Sequence, residues 1–227
     1  MLERLSAQAS EPAARATPGA RRQSTRAAAV AGRALLTACA LLAVGAATTM
    51  PAVAEVPAAG PAPVPELDLG RYVGTWYQTA AVPQYFNLVC ARDTRAEYAT
   101  LPNGDVSVHN SCTTWTGANN EIRGAARVRD RRTDAQLRVA FPGVPTQESL
   151  DGPVNYIVTA LGPDYSWALV TDPARISGFV LSRQPALTDQ QWGDVVTAIR
   201  GAGEDPRLYL TSPTTGGRSD ITPLCRL

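Results

Sequence analysis

"GTWYQTA", residues 74–80, is the stretch on which the reading of the fold turns. It follows a Pro-rich segment and precedes a loop, "AVPQYFN". A tryptophan set between Gly74 and Tyr77 is not a catalytic arrangement. Trp76 either contacts a ligand or holds the chain together, and its neighbourhood decides between the two.

Working outward, "TWYQTA" reads as a strand, and similar runs follow it at short spacing. "TRAEYAT" meets "DVSVHNS" across "LPNG", residues 101–104, which is a strong hairpin signal. "EIRGAARVR" and "AQLRVAF" flank "DRRTD"; "NYIVTAL" and "SWALVT" flank "GPDY"; "GFVLSR" follows "DPARIS". That gives eight strand candidates between residues 74 and 183 in a meander, with no internal repeat. In "DVSVHN", Val106, Val108 and Asn110 share one face, with Ser107 and His109 on the other. In "QLRVAF", Leu137, Val139 and Phe141 alternate with Arg138 and Ala140. Such alternation marks half-buried strands.

One helix is expected after the strands. Thr188 to Gln191 forms a capping box, and Trp192, Val195, Val196 and Ile199 then fall on one apolar stripe. Gly201 or Gly203 ends it. "RLYL", residues 207–210, reads as a short ninth strand. Eight meandering strands must close into a barrel or leave two edges open. The expected fold is therefore all-β: an eight-stranded antiparallel up-and-down barrel with the helix packed outside.

The N-terminal third reads differently. The first 33 residues carry six arginines and two glutamates, and "ALLTACALLAVGAA", residues 34–47, follows. An apolar run of that length is short for a membrane span and suits the core of an export signal. "AVA", Ala52 to Ala54, fits a cleavage site before Glu55; a translation start near Val30 would shorten the long basic region. The rival reading is a lipid anchor at Cys39 in "LTAC", although the apolar run follows that cysteine rather than preceding it. The expected organisation is an export signal over 1–54, a Pro/Ala linker without packing potential over 55–65, a barrel domain over 66–211 and a tail over 212–227. Export implies an oxidising compartment, in which Cys90, Cys112 and Cys225 remain.

Composition excludes several functions. From Glu55 onward 15 arginines face 18 acids, a net charge of −3, so there is no electrostatic case for nucleic-acid binding. His109 is the single histidine; it alternates outward and reads as a solvated strand residue. No second ligand gives metal spacing, no Ser/His/Asp set can be assembled and no Gly-rich loop opens a helix. No cofactor is expected.

Three separated motifs resemble the lipocalin family, in particular the branch holding bacterial outer-membrane lipocalins and apolipoprotein D. They are Gly74-x-Trp76 preceded by "LDLGRYV", then Thr171-Asp172-Pro173, and Arg183 at the end of "FVLSR". The resemblance spans about residues 66–211 and departs at Pro173, where the family often has an aromatic. It implies that "LDLGRYV" is the short helical turn closing the barrel base. It also implies that Trp76 plugs that base, with the Arg183 guanidinium over its ring and bonding the first turn's carbonyls.

Binding then belongs above the plug. Tyr98, Asn110 and Phe179 match cavity positions of that branch; Val106, Val108, Leu137, Val139, Phe141 and Tyr156 are added from alternation. The loop "VPQYFNLV", residues 82–89, matches the one overhanging the mouth, where Tyr85, Phe86 and Leu88 would gate the ligand or touch a membrane surface. Cys90 opens the second strand and Cys112 ends the third, so the hairpin places them together as the first choice of disulfide. The resemblance offers Cys90–Cys225 instead. The implied function is a carrier of a small hydrophobic ligand such as a fatty acid or lysophospholipid; the sequence leaves the oligomeric state open, with a monomer favoured. The alternatives are a thiol-dependent isomerase-type enzyme and a partner-binding module that uses the mouth.

Overall fold

A computed structural model describes residues 60–227. The export-signal reading, the cleavage site at Ala54 and the anchor reading at Cys39 lie outside the described residues.

The alternating runs form β1 (Gly74–Ala81), β2 (Cys90–Thr100), β3 (Val106–Thr114), β4 (Asn119–Val128), β5 (Gln136–Ala140), β6 (Tyr156–Leu161), β7 (Trp167–Thr171) and β8 (Gly178–Ser182). Each pairs antiparallel with the next, and β1 pairs with both β2 and β8, so the sheet closes on itself. Tyr77 sits at the seam, opposite Arg95 on one side and Ser182 on the other. Closure satisfies the backbone groups that two open edges would expose. The β2–β3 turn relies on Gly104 at φ +84°, a left-handed conformation that glycine adopts without a Cβ clash.

A four-residue helix, α1 (Leu69–Tyr72), precedes β1, and its N-cap Asp68 accepts from the Arg71 amide. The long helix α2 (Asp189–Gly201) starts at the Thr188–Gln191 capping box. It ends in a Schellman motif: the Gly203 amide donates to Arg200 O and the Glu204 amide to Ile199 O, with Gly203 at φ +77°. Trp192, Val195 and Ile199 are buried; Val196 is only partly so.

The strand period sorts the core into layers. On β7, Trp167 and Leu169 point out to Trp192, Val195 and Ile199 of α2, whereas Ala168 and Val170 point in towards Trp76 and Leu181. Both faces of β7 are therefore dry, which is why this strand is an unbroken apolar run ending in Thr171. Val106, Val108, Ala126, Val128 and Leu137 make a third cluster on the opposite wall.

Two expectations change. The 55–65 stretch is not wholly free of packing: Val64 is buried against Trp76, Val158 and Val170, and its amide donates to Val158 O at 2.8 Å. Residues 207–210 are not a strand throughout; Pro206–Leu208 is a 3-10 turn, and β9 is Leu210–Thr211, paired with Ala81 and Ala80 of β1. The 212–227 tail is ordered by its own bonds. Ser212 N donates to Thr79 O, Leu224 N donates to Tyr209 O, and Leu224 is buried in the seam between α2 and the wall. The first-choice disulfide is present: Cys90 pairs with Cys112, and the alternative partner Cys225 is free and exposed. Paired β2 and β3 bring the first two Cα atoms to 5.5 Å, within ordinary disulfide reach.

Candidate ligand-binding cavity

The closed end is built around Trp76, whose side chain is fully buried. Its indole Nε1 donates to Tyr72 O at 2.8 Å. The Arg183 Cζ lies 3.7 Å from the Trp76 ring centroid, a cation–π contact. The same guanidinium donates to the carbonyls of Thr75 (2.9 Å), Arg71 (2.6 Å), Tyr72 (3.2 Å) and Val73 (3.0 Å). Burial lowers the Arg183 pKa from its usual value, yet an arginine stays charged. Gly74 is required beside it: its φ is +100°, and a Cβ there would meet Arg183 Nη1 at 3.3 Å.

Above this plug a cavity of about 620 Å³ opens through the barrel. The nine residues expected to line it, Tyr98, Val106, Val108, Asn110, Leu137, Val139, Phe141, Tyr156 and Phe179, all do. Of the three mouth residues, Tyr85 and Phe86 line the rim, and Phe86 stacks on Phe179 with centroids 6.4 Å apart. Leu88 does not line it; it points into solvent at 80% exposure, while its carbonyl accepts from Trp115 Nε1 at 3.0 Å. Cys90 and Cys112 border the cavity near the mouth, so their bond ties the β1–β2 loop to the wall.

Thr171 and Asp172 organise the loop between β7 and β8. Asp172 Oδ1 accepts from the Ile176 and Ser177 amides, both at 2.8 Å, and Oδ2 from the Ala174 amide at 3.0 Å. Thr171 Oγ1 donates to Glu204 Oε1 at 2.7 Å, and Tyr209 donates to Glu204 Oε2 at 2.7 Å. Burial pushes the Glu204 carboxyl above its usual pKa. Pro173 fits this loop because none of these bonds needs its missing amide hydrogen.

His109 faces outward, as its alternation requires, but it is held. Its Nδ1 lies 3.1 Å from Glu97 Oε2 and its Nε2 3.0 Å from Glu121 Oε2, on the strands either side. Among the described residues no group of His, Cys, Asp and Glu is arranged to hold a metal.

Sequence reasoning missed Tyr72 and Trp115. Tyr72 belongs to the "LDLGRYV" turn, yet its ring lies tilted against Trp76, stacks on Tyr98 and lines the cavity. The signal was its place four residues before Trp76 on a short helix, which stands it over the plug. Trp115, in the β3–β4 turn, carries no pattern, because an exposed aromatic in a turn has no periodic neighbour.

Residues 67–211 match the family model described as a lipocalin-like domain. The chain belongs to the lipocalin family. Temperature-induced lipocalin-1 of Arabidopsis thaliana is 33% identical over 159 residues, 69% of this chain and 82% of that protein. The outer membrane lipoprotein Blc of Escherichia coli K12 is 28% identical over 160 residues, 68% of this chain and 83% of its own length. The barrel is also similar in fold to apocrustacyanin C2, with a TM-score of 0.50 at 14% identity over 65% of this chain and 79% of that one. Lipocalins are in general binding proteins for small hydrophobic molecules.

Proposed function

We propose that this lipocalin is an exported carrier that holds the aliphatic chain of a fatty acid or lysophospholipid in the barrel. The observation that carries the reading is the cavity of about 620 Å³ with a predominantly apolar wall and one open end. Cavities of this size suit one small ligand. Each buried methylene contributes about 0.8 kcal/mol, so a long chain binds without a charged partner. The nine lining residues are its contacts, and the charged lining groups, Arg95, Glu121 and Asp172, are left for the polar end. The export-signal reading and the similarity to an outer membrane lipoprotein support a place in the cell envelope.

Loading from a lipid surface is supported by the rim. Tyr85, Leu88, Val89, Trp115 and Ile176 are large, apolar and exposed, and they come from three loops. Two hydrogen bonds join those loops: Trp115 Nε1 to Leu88 O, and Gln84 Nε2 to Ile176 O at 3.3 Å. Single exposed apolar residues are ordinary, whereas a cluster at an opening marks a contact surface. A thiol-dependent enzyme is disfavoured, because Cys225 does not line the cavity and the two cysteines that do are bonded.

The test is displacement of a fluorescent fatty acid by unlabelled fatty acid and by lysophospholipid. Saturable binding with displacement by either supports the carrier reading. No binding of the probe by folded protein would sink it.

A further inference from the structure

Three tyrosine hydroxyls meet at the floor of the cavity. Tyr72 and Tyr156 lie 2.6 Å apart, and Tyr98 and Tyr156 3.3 Å apart, oxygen to oxygen. They come from α1, β6 and β2, three separate stretches of chain. Tyr72 rests on Trp76, with ring centroids 5.1 Å apart, and Tyr98 is the register partner of Gly74. The cluster therefore sits on the plug, at the end away from the rim.

A hydroxyl donates one hydrogen bond and accepts two. Three hydroxyls hold three protons, and the two contacts among them engage at most two. Among the described residues no other hydrogen bond engages any of the three oxygens. At least one O–H is thus left without an acceptor among the described residues, whichever way the cluster is oriented. Burial raises all three phenols above their usual range, Tyr98 to about 12, so they remain neutral donors.

The surroundings define that acceptor. Leu69, Val106 and Leu137 are the apolar neighbours of the tyrosines, and the charged groups of the wall stand further up. Arg95 and Glu121 both pair with Ser111, beyond the rung of Asn110. Asp172 is in the loop after β7. An anion brought to the floor would be desolvated with no cation to face it, which is costly. Arg183 covers the Trp76 ring and gives its hydrogen bonds to four backbone carbonyls, none to a tyrosine hydroxyl. Asn110 adds a second polar element on the same wall. It faces Ala96, two residues from Tyr98 along β2, and its buried Oδ1 has no hydrogen-bond partner in the protein.

We infer that the floor is a subsite for a neutral oxygen, foremost a hydroxyl, at the deep end of an otherwise apolar ligand. The inference rests on the carrier reading and specifies its cargo: chains oxygenated at the end remote from the headgroup, entering with that end first. The hydroxyl accepts from the tyrosine cluster. An unoxygenated chain binds the same walls and leaves the free donor without its acceptor.

Hexadecanoic acid and ω-hydroxyhexadecanoic acid are matched probes, since they differ only at the end that reaches the floor. Their dissociation constants are to be measured by displacement of the fluorescent fatty acid, with wild type and with Tyr156→Phe. The variant keeps the ring and removes the hydroxyl shared by both contacts. Expected is a fall of about three- to tenfold in the affinity for the hydroxy acid relative to that for hexadecanoic acid. Tyr98→Phe should act in the same direction, and it serves if Tyr156→Phe melts too low to titrate. An unchanged affinity ratio between the two acids in the folded variants overturns the inference and leaves the carrier reading standing. An equal loss for both acids also overturns it, because the floor would then be taking the carboxyl group. Failure of wild type to bind either acid or the probe overturns the carrier reading itself.

Discussion

The Arg183 guanidinium covers the Trp76 ring at 3.7 Å and ties together four carbonyls of the segment leading into β1. One side chain from the end of β8 thus locks the start of the barrel. Removing Trp76 leaves a large void beneath the cavity. Trp76→Ala should destabilise the fold by about 3–5 kcal/mol, read in urea denaturation. Ligand affinity per folded molecule should change little by comparison.

The lock is specific to the guanidinium fork. Arg183→Lys keeps the charge but cannot reach several carbonyls in one plane. It should recover less than half of the stability that Arg183→Met loses. A lysine variant as stable as wild type would show that charge alone matters.

The bond between Cys90 and Cys112 closes a loop with a sequence separation of 22. Replacing both by serine should cost about 3 kcal/mol by the chain-entropy argument. Non-reducing peptide mapping should find these two linked and Cys225 alkylated.

The buried Glu204 carboxyl gives a pH signature. Its pKa is raised from the usual 4.5, first by burial, so the folded state holds its proton more tightly than the unfolded state. Its contribution is complete below that value and is lost as pH rises through the folded pKa. Asp220 acts in the opposite sense: Arg218 and Thr222 hold it down at about 2, and its small, largely exposed contribution fades in acid. Melting temperatures from about pH 4 to about pH 8 should fall in wild type relative to Glu204→Gln. Parallel curves would remove Glu204 as the cause.

Filling the cavity separates binding from folding. Val108 and Leu137 stand on the wall above the plug. Val108→Trp should lower fatty-acid affinity at least about tenfold while the melting temperature moves by only a few degrees. Unaltered affinity in a folded variant would place the ligand elsewhere.

Much of this was legible in the sequence where structure is local. Val106, Val108 and Asn110 alternate, and the wall they form follows from that period. Thr188 and Gln191 announce α2 because their bonds lie within one turn. The misread parts depend on distant partners. Val64 stands among prolines and alanines, and only Val158 and Val170 make it part of a core. Leu224 sits in a polar tail and is buried because the Tyr209 carbonyl draws it into the seam beside α2. The hydroxyls of Tyr72, Tyr98 and Tyr156 meet across three elements, and no spacing in the chain encodes that meeting.

The seam at β1 also sets an order of events for the growing chain. β1 is the earliest strand among the described residues, yet it hydrogen-bonds to β8, and Arg183 reaches back 108 residues to Thr75. Barrels dominated by such distant pairings fold slowly. Until residue 183 has emerged, Trp76 lacks its cover and β1 lacks one of its flanks. In a nascent chain the β8-facing edge of β1 therefore stays unpaired until the last barrel strand is made. An unpaired edge of that kind is a template for pairing with another chain, so the closing contact made by β8 also removes an aggregation hazard.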